Sequence, residues 1–212
     1  YKCLPVQEPY FKIFKQTAER HPQIDKVLYP GSYIHVTPSL FFRECVYVDN
    51  FTGRKQQVQK FFCHNASTII EALGSGEDTP VNPVIRYHNK DLNGPLPEEE
   101  CYFDLLISLS APGNISETCK KYLKGDGFLF VNDDFGDASF AKGCGYELLW
   151  LYHEGEVVDD PTRLKQYFVL KSGKKPATAS QSTANAGFSF SKRPFKYSLN
   201  AQVYVFQNRG KQ

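Results

Sequence analysis

Apolar positions along the chain fall into two alternating patterns, which predict helices and strands in turn. Residues 9–21 carry apolar side chains three or four positions apart between Pro9 and Pro22, which predicts a leading helix. Short apolar runs of strand length recur along the rest of the chain, at 26–29, 45–48, 84–87, 103–109, 128–131, 146–152 and 201–206. The run at 103–109 is continuous, as expected of a strand buried on both faces of a parallel sheet.

Helical segments are predicted between several of these strands. Thr37 followed by Pro38 is typical of a helix N-cap and first turn, which predicts a short helix through Phe42. Residues 55–72 have helical periodicity, and Gly74 follows as a stop signal.

A further helix is predicted after the strand at 103–109. Asn114 and Glu117 have the spacing of a capping box, and apolar residues continue at helical spacing through Leu123 to a turn at Gly125. Strands that alternate with helices predict βαβ units. We therefore expect an α/β fold, a Rossmann-like three-layer sandwich with a mostly parallel central sheet.

Length and composition favour a single domain over residues 1–212, with a lead-in helix within 1–22. The chain has 212 residues, of which 41% are hydrophobic and 23% charged, as in ordinary globular proteins. Residues 172–187 are rich in Ser, Ala, Thr, Gly and Lys, which predicts a flexible loop. No apolar run reaches the roughly 20 residues of a membrane span, so no membrane contact is expected.

Charge is divided unevenly along the chain. The net charge is +2, yet residues 161–212 carry ten Lys or Arg and no Asp or Glu. Aromatic residues lie among these cations, at Phe188, Phe190, Phe195 and Tyr197. Such a segment could bind RNA or another anionic partner, because aromatic rings stack on bases and cations meet phosphates. The alternative is that it only neutralises the acidic remainder of the chain.

Six cysteines show neither metal-ligand nor disulfide-scaffold spacing, and we expect reduced thiols. Cys45 and Cys101 lie in apolar segments, which predicts that they are buried. This favours a reducing compartment and a cytoplasmic protein.

Candidate ligand-binding residues follow the predicted strands. Gly31 comes directly after the first strand, and Asp49 follows the second strand 18 residues later. A carboxylate about 20 residues beyond such a glycine suits the hydroxyls of a ribose. Asp91 follows the third strand, and Ser108 lies at the end of the fourth. Because ligands of open α/β sheets bind at the carboxyl ends of the strands, these positions predict a site for a nucleoside-containing small molecule.

This pattern resembles the class I methyltransferases, which use S-adenosylmethionine. The resemblance covers roughly residues 20–135 and is carried by Val27-Leu28-Tyr29-Pro30-Gly31-Ser32, Tyr47-Val48-Asp49, Lys90-Asp91-Leu92, Phe103-Asp104-Leu105-Leu106-Ile107-Ser108 and Leu123-Lys124-Gly125-Asp126-Gly127-Phe128-Leu129. Tyr33 and His35 stand where the family has its second and third glycines, and the Asn-Pro-Pro-aromatic sequence of some members is absent.

The resemblance implies a methyltransferase that binds S-adenosylmethionine, with an acceptor and catalytic residues that it does not identify. The implied cofactor-binding residues are Tyr29, Pro30, Gly31, Ser32, Tyr33, Asp49, Asn50, Lys90, Asp91, Leu92 and Ser108. The altered glycine-rich motif favours an alternative, a cofactor-free Rossmann-like binding or scaffold protein.

A metal site is the less favoured interpretation of the aspartates that follow the fifth strand. Asp133, Asp134 and Asp137 could together hold a divalent cation. A solvated turn that caps a helix near Ala138 is the favoured interpretation, and we expect no metal.

Overall fold

The computed structural model describes residues 4–50, 55–73, 83–92, 94–111, 115–134, 136–167 and 201–210. Within them the chain forms one eight-stranded sheet. Its strands are β1 Lys26–Pro30, β2 Glu44–Val48, β3 Val84–His88, β4 Phe103–Ser108, β5 Leu123–Val131, β6 Tyr146–His153, β7 Glu156–Val158 and β8 Val203–Asn208.

The strands lie in the order β3-β2-β1-β4-β5-β8-β6-β7. The first five are parallel to their neighbours, whereas β8 runs antiparallel between β5 and β6. The winding direction reverses between β1 and β4, and such a switch point is where open α/β sheets bind their ligands. The mostly parallel sheet expected from the sequence is confirmed.

Helices cover both faces of the sheet and complete three layers. Their bounds are α1 Glu8–Arg20, α2 Lys55–His64, α3 Ala66–Leu73, α4 Ile115–Thr118, α5 Asp137–Gly143 and α6 Pro161–Tyr167. Buried residues of α1, α2 and α3 pack on one face with Val27, Tyr29 and Cys45. Buried residues of α4, α5 and α6 pack on the other face, with Leu28 and Val46.

The connection from β3 to β4 packs on the same face of the sheet as α4, α5 and α6, and its described residues form no helix. Residues 89–92 and 94–102 form this crossover loop, and Leu96 is buried in the same core as Val46 and Val48. The backbone amide of Leu96 donates a 2.7 Å hydrogen bond to the hydroxyl of Tyr122. The loop is therefore anchored to the body at its middle.

Three local predictions were wrong. Thr37 is not an N-cap, because the turn Thr37–Leu40 is a 3₁₀ helix and the hydroxyl of Thr37 accepts a hydrogen bond from the amide of Gln7. The segment 55–72 is two helices that meet at Asn65. Leu123 does not continue a helix, since it pairs with Phe103 as the first residue of β5.

Several other features lie beyond the sequence predictions. The short strand β7 and helix α6 were not expected, and β7 forms a hairpin with β6. The predicted loop 172–187 and Asn114 of the predicted capping box lie outside the described residues. No helix of the described ranges combines the length and the apolar character that crossing a bilayer requires.

The five cysteines within the described residues are free thiols. Cys45 and Cys119 are buried, and burial raises the pKa of each thiol to about 12. The prediction that Cys101 is buried was wrong, since Cys101 is exposed, as is Cys63. The backbone of Cys101 has a φ of 55°, and its amide donates a hydrogen bond to the carbonyl of Lys121 in a surface turn.

Candidate functional site

The turn after β1 is packed tightly against the segment that follows β4. Gly31 has a φ of 70°, and a Cβ at this position would lie 2.6 Å from the Cβ of Ala111. The amide of Gly31 donates a 2.8 Å hydrogen bond to the carbonyl of Val48 at the end of β2. A glycine is therefore required here both by backbone conformation and by the approach of Ala111.

The carboxylate of Asp49 joins the first two strand ends. Asp49 is 7% exposed, and its Oδ2 accepts a 2.8 Å hydrogen bond from the backbone amide of Tyr33. Tyr33 has a φ of 50°, which costs about 1–2 kcal/mol in a residue with a side chain. The hydrogen bond to Asp49 offsets this cost and fixes the turn beside the carboxylate.

His35 lies in the core rather than in an open pocket. Its Nδ1 is 2.9 Å from the hydroxyl of Tyr29, and its ring packs 5.3 Å from that of Tyr10. Burial lowers the pKa of His35 to about 3, so the ring is neutral at physiological pH. Tyr29, one of the predicted cofactor contacts, is buried, and its hydroxyl lies against His35 of the turn.

Two buried polar atoms of this turn have no hydrogen-bond partner among the described residues. They are the Oγ of Ser32 and the Nε2 of His35, and both residues are 2% exposed. A buried polar group of this kind needs a partner, which a water molecule or a ligand can supply. The turn thus retains hydrogen-bonding capacity.

The third strand end is partly joined to the first two. The hydroxyl of Tyr87 donates a 2.9 Å hydrogen bond to the carbonyl of Asp49, and the amide of Asp49 bonds to the carbonyl of His88. Leu92 approaches Gly31, since its Cδ1 would lie 3.6 Å from a Cβ there. The side chains of Lys90 and Asp91 are exposed beside this edge.

The remaining candidates differ in their surroundings. Pro30 is the buried last residue of β1, and Asn50 is half-buried after β2. Ser108, the buried last residue of β4, lies against the carboxylate of Asp137, and burial raises the pKa of that carboxyl. The Oδ1 of Asp137 also accepts a 2.7 Å hydrogen bond from the hydroxyl of Ser116. Ser108 therefore faces the protein interior.

Beyond β4 and β5 lies a polar cluster that the sequence analysis did not identify as a site. The amide of Ser110 donates a 2.9 Å hydrogen bond to the Oδ1 of Asn132, and the Nδ2 of Asn132 donates to the carboxylate of Asp134. The hydroxyl of Ser110 donates a 2.5 Å hydrogen bond to the same carboxylate. Asn132 is 6% exposed, whereas Ser110 and Asp134 are exposed.

Tyr10 of α1 also lies beside this cluster. Burial and the negative charge of Asp134 raise the pKa of Tyr10, against a hydrogen bond with Asn132 that lowers it. Tyr10 therefore connects the turn at His35 to the polar cluster. No local sequence signal marks it, because the contact joins residues more than a hundred positions apart.

Asp133, Asp134 and Asp137, the candidate metal ligands, have separate partners. Asp133 accepts hydrogen bonds from the amide and hydroxyl of Ser139 at 3.0 and 3.1 Å, within α5. Asp137 is buried against Ser116, and Asp134 is held by Asn132. Across the described ranges, no three His, Cys, Asp or Glu side chains are grouped as a metal site would require.

Comparison with known proteins finds similarity in three-dimensional structure only. No protein-family model matches the chain, and no curated protein matches its sequence. A solved structure described as StiE O-MT residues 961–1257 has a TM-score of 0.50 at 11% identity, covering 97% of this chain and 75% of that one.

Two archaeal structures are also similar. A SAM-dependent methyltransferase from Methanosarcina mazei has a TM-score of 0.45 at 10% identity, covering 92% of this chain and 98% of that chain. A protein from Methanococcus maripaludis, proposed to be an S-adenosyl-L-methionine-dependent methyltransferase, has a TM-score of 0.41 at 15% identity. That match covers 58% of this chain and 54% of the other.

At these identities the comparison concerns the fold alone. Strand order, the parallel half of the sheet and helices on both faces together give the Rossmann-like α/β fold of class I methyltransferases.

Proposed function

We propose that this chain binds S-adenosylmethionine at the edge formed by the ends of β1, β2 and β3, and transfers its methyl group to an acceptor. The observation that carries the proposal is the hydrogen bond from the amide of Tyr33 to the carboxylate of Asp49. It holds the turn after β1 and the acidic residue after β2 side by side at the switch point of the sheet, where ligands of such folds bind.

Each part of this edge suits a different part of the cofactor. The carboxylate of Asp49 can accept hydrogen bonds from ribose hydroxyls. Lys90, Asp91 and Leu92 flank the nucleoside from the crossover loop, and the buried Oγ of Ser32 offers a hydrogen bond to the amino-acid part. When bound, S-adenosylmethionine supplies an electrophilic methyl group, and the chain contributes position and orientation.

We place the methyl acceptor next to this edge, at the cluster of Ser110, Asn132 and Asp134. The carboxylate of Asp134 is oriented by two hydrogen bonds, at 2.5 and 2.9 Å, and remains exposed. An oriented carboxylate can accept the proton of an attacking hydroxyl or amine. Tyr10 lies beside this acceptor position, because Asn132 and Asp134 both influence its hydroxyl.

Calorimetric titration with S-adenosylmethionine and S-adenosylhomocysteine tests the proposal. Asp49→Ala should weaken binding by about 1.5–3 kcal/mol, because hydrogen bonds to a charged group are lost. Asp126→Ala is the matched control, since Asp126 is an exposed aspartate in the amino-terminal half of β5. Absence of heat with the unaltered chain at millimolar ligand would favour the alternative of a cofactor-free binding or scaffold protein.

A second candidate function is RNA binding through residues 161–212. The observation that favours it is the excess of ten cations over no anions in this segment. Binding of a short RNA should then fall steeply between about 50 and 200 mM salt, as counterions are released. Replacing Lys174, Lys175, Lys192 and Arg193 by Gln should flatten this dependence, and an unchanged affinity would contradict it.

We further propose a cytoplasmic location for the protein. Its support is chemical: the five cysteines among the described residues are free thiols, which a reducing compartment maintains. Fractionation of cells that express the protein would test this location, and recovery from an oxidising compartment would contradict it.

A further inference from the structure

The crossover loop between β3 and β4 carries three consecutive glutamates with different surroundings. Glu99 and Glu100 are exposed, but the side chain of Glu98 is only 3% exposed. A carboxylate removed from water in this way is costly unless charged or hydrogen-bonding partners surround it. Its position therefore depends on those partners.

The partners of Glu98 are both on β3. Arg86 binds it through two hydrogen bonds, from Nη1 to Oε1 at 2.8 Å and from Nη2 to Oε2 at 3.0 Å. The Nε2 of His88 lies 2.5 Å from Oε1. A two-pronged Arg–carboxylate pair is among the stronger and more directional polar contacts in proteins.

Arg86 is itself held from its other side. Its Nη2 donates a 2.5 Å hydrogen bond to Glu44 of β2, and Glu44 accepts a further bond from the hydroxyl of Tyr102. Glu98 therefore binds an Arg86 side chain that Glu44 of the neighbouring strand already holds in place, with Tyr102 at the end of the loop supporting Glu44. Loss of Glu98 would leave Arg86 paired with Glu44.

We propose that Glu98 is a positioning residue for the nucleoside end of the ligand, acting through the crossover loop. The carboxylate holds the loop to β3, so that Asp91 and Leu92 stand at the edge beside Gly31 and Asp49. This inference rests on the proposed function, because it concerns the same cofactor edge.

The position of the loop supports a role in ligand binding rather than in folding alone. His88 is the last residue of β3, and its carbonyl bonds to the amide of Asp49. The side chain of His88 binds Glu98, so one residue contacts both the loop, through its ring, and the backbone of Asp49, through its carbonyl. Leu92 in the same loop approaches Gly31. A shift of the loop would thus reach the ligand edge directly.

The test compares Glu98→Gln and Glu98→Ala with Glu99→Gln, an adjacent exposed glutamate. Titrations use S-adenosylhomocysteine and adenosine, with thermal unfolding of every variant as a second measurement. Glu98→Ala should weaken both ligands by about tenfold, and by a similar factor, since the loop addresses the part that they share. Glu98→Gln should lie between, because its amide oxygen still accepts a hydrogen bond, and Glu99→Gln should equal the unaltered chain.

The outcomes separate this inference from the proposed function. If the unaltered chain binds neither ligand, the proposed function fails, and this inference fails with it. If the unaltered chain binds both ligands and the two Glu98 variants bind them as tightly as it does, the inference is overturned while the function stands. A lower melting temperature with unchanged affinities would likewise overturn it, because Glu98 would then only stabilise the fold.

Discussion

Gly31 and Ala111 bring the ends of β1 and β4 into direct contact, since a Cβ on Gly31 would lie 2.6 Å from the Cβ of Ala111. Gly31→Ala should therefore destabilise the protein more than a left-handed backbone alone explains. Gly155→Ala is the matched control, because Gly155 has a φ of 88° with no atom within 4 Å of the added Cβ. The control should cost about 1–2 kcal/mol.

Urea unfolding of both variants measures the difference. We expect Gly31→Ala to lose at least about 1 kcal/mol more than Gly155→Ala, as typical of overpacking. Equal losses would mean that the segment after β4 yields to the added methyl group.

Asp104 connects β4 to the amino-terminal end of β1, away from the proposed ligand site. Its loss should lower stability without weakening ligand binding. Its Oδ2 accepts hydrogen bonds from the backbone amides of Asp25 and Lys26 at 3.1 and 2.9 Å. Its Oδ1 accepts a 2.5 Å hydrogen bond from the Nζ of Lys124. Asp104→Ala should lower the free energy of unfolding by about 1–3 kcal/mol, because two amides lose their acceptor.

Lys124→Ala separates the ion pair from the amide contacts. The Lys124 side chain is 42% exposed, so its removal should cost no more than about 1 kcal/mol. A large loss in Lys124→Ala, or weakened cofactor binding in Asp104→Ala, would contradict this account.

Acid should destabilise the protein through His35. Its pKa is lowered from 6.5 to about 3 by burial, so the unfolded chain takes up the proton first as the pH falls. The stability that neutral His35 contributes is present above pH 6.5 and is lost towards pH 3, by at most about 1.4 kcal/mol per pH unit.

Urea unfolding at several pH values checks this slope. His35→Gln should flatten it between pH 6.5 and 4, because the variant has no imidazole to protonate. His64→Gln, at an exposed histidine, should leave the slope unchanged. Parallel slopes in the unaltered chain and His35→Gln would show that His35 does not remain neutral in the folded protein.

Alkylation of the native protein should distinguish its cysteines. Cys63 and Cys101 are exposed and should react first, whereas the buried Cys45 and Cys119, each with a pKa of about 12, should react only on unfolding. Mass spectrometry after timed alkylation measures the order. Early labelling of Cys45 would contradict the packing of β2 in the core.

Much of the sheet could be predicted because its strands are continuous apolar runs between turn residues. Phe103–Ser108 is buried at all six positions, and its continuous apolar run identified it to within one residue of its end. Gly31 and Asp49 could be placed at one edge from the sequence, because the carboxyl ends of parallel strands share that edge. The hydrogen bond from the amide of Tyr33 to the carboxylate of Asp49 joins the segments after β1 and β2 at this edge.

Two of the wrong predictions and the residues that had no sequence signal share one physical cause, which is long-range contact. The hydroxyl of Thr37 accepts a hydrogen bond from the amide of Gln7, 30 positions away, instead of capping its own turn. Leu123 fits a helical face, but pairing with Phe103 makes it a strand residue. Tyr10 and Glu98 carry no local signal at all, because their roles arise only when distant strands are assembled.

The central claim is that the ends of β1, β2 and β3 hold the nucleoside of S-adenosylmethionine. Amide hydrogen exchange with and without saturating S-adenosylhomocysteine tests it most directly, since the measurement locates the ligand on the chain. We expect slower exchange in peptides that cover Gly31 to His35, Asp49 and Asn50, and Lys90 to Leu92, with no change in peptides around Gly125. Protection confined to other peptides, or none at saturating ligand, would contradict the account.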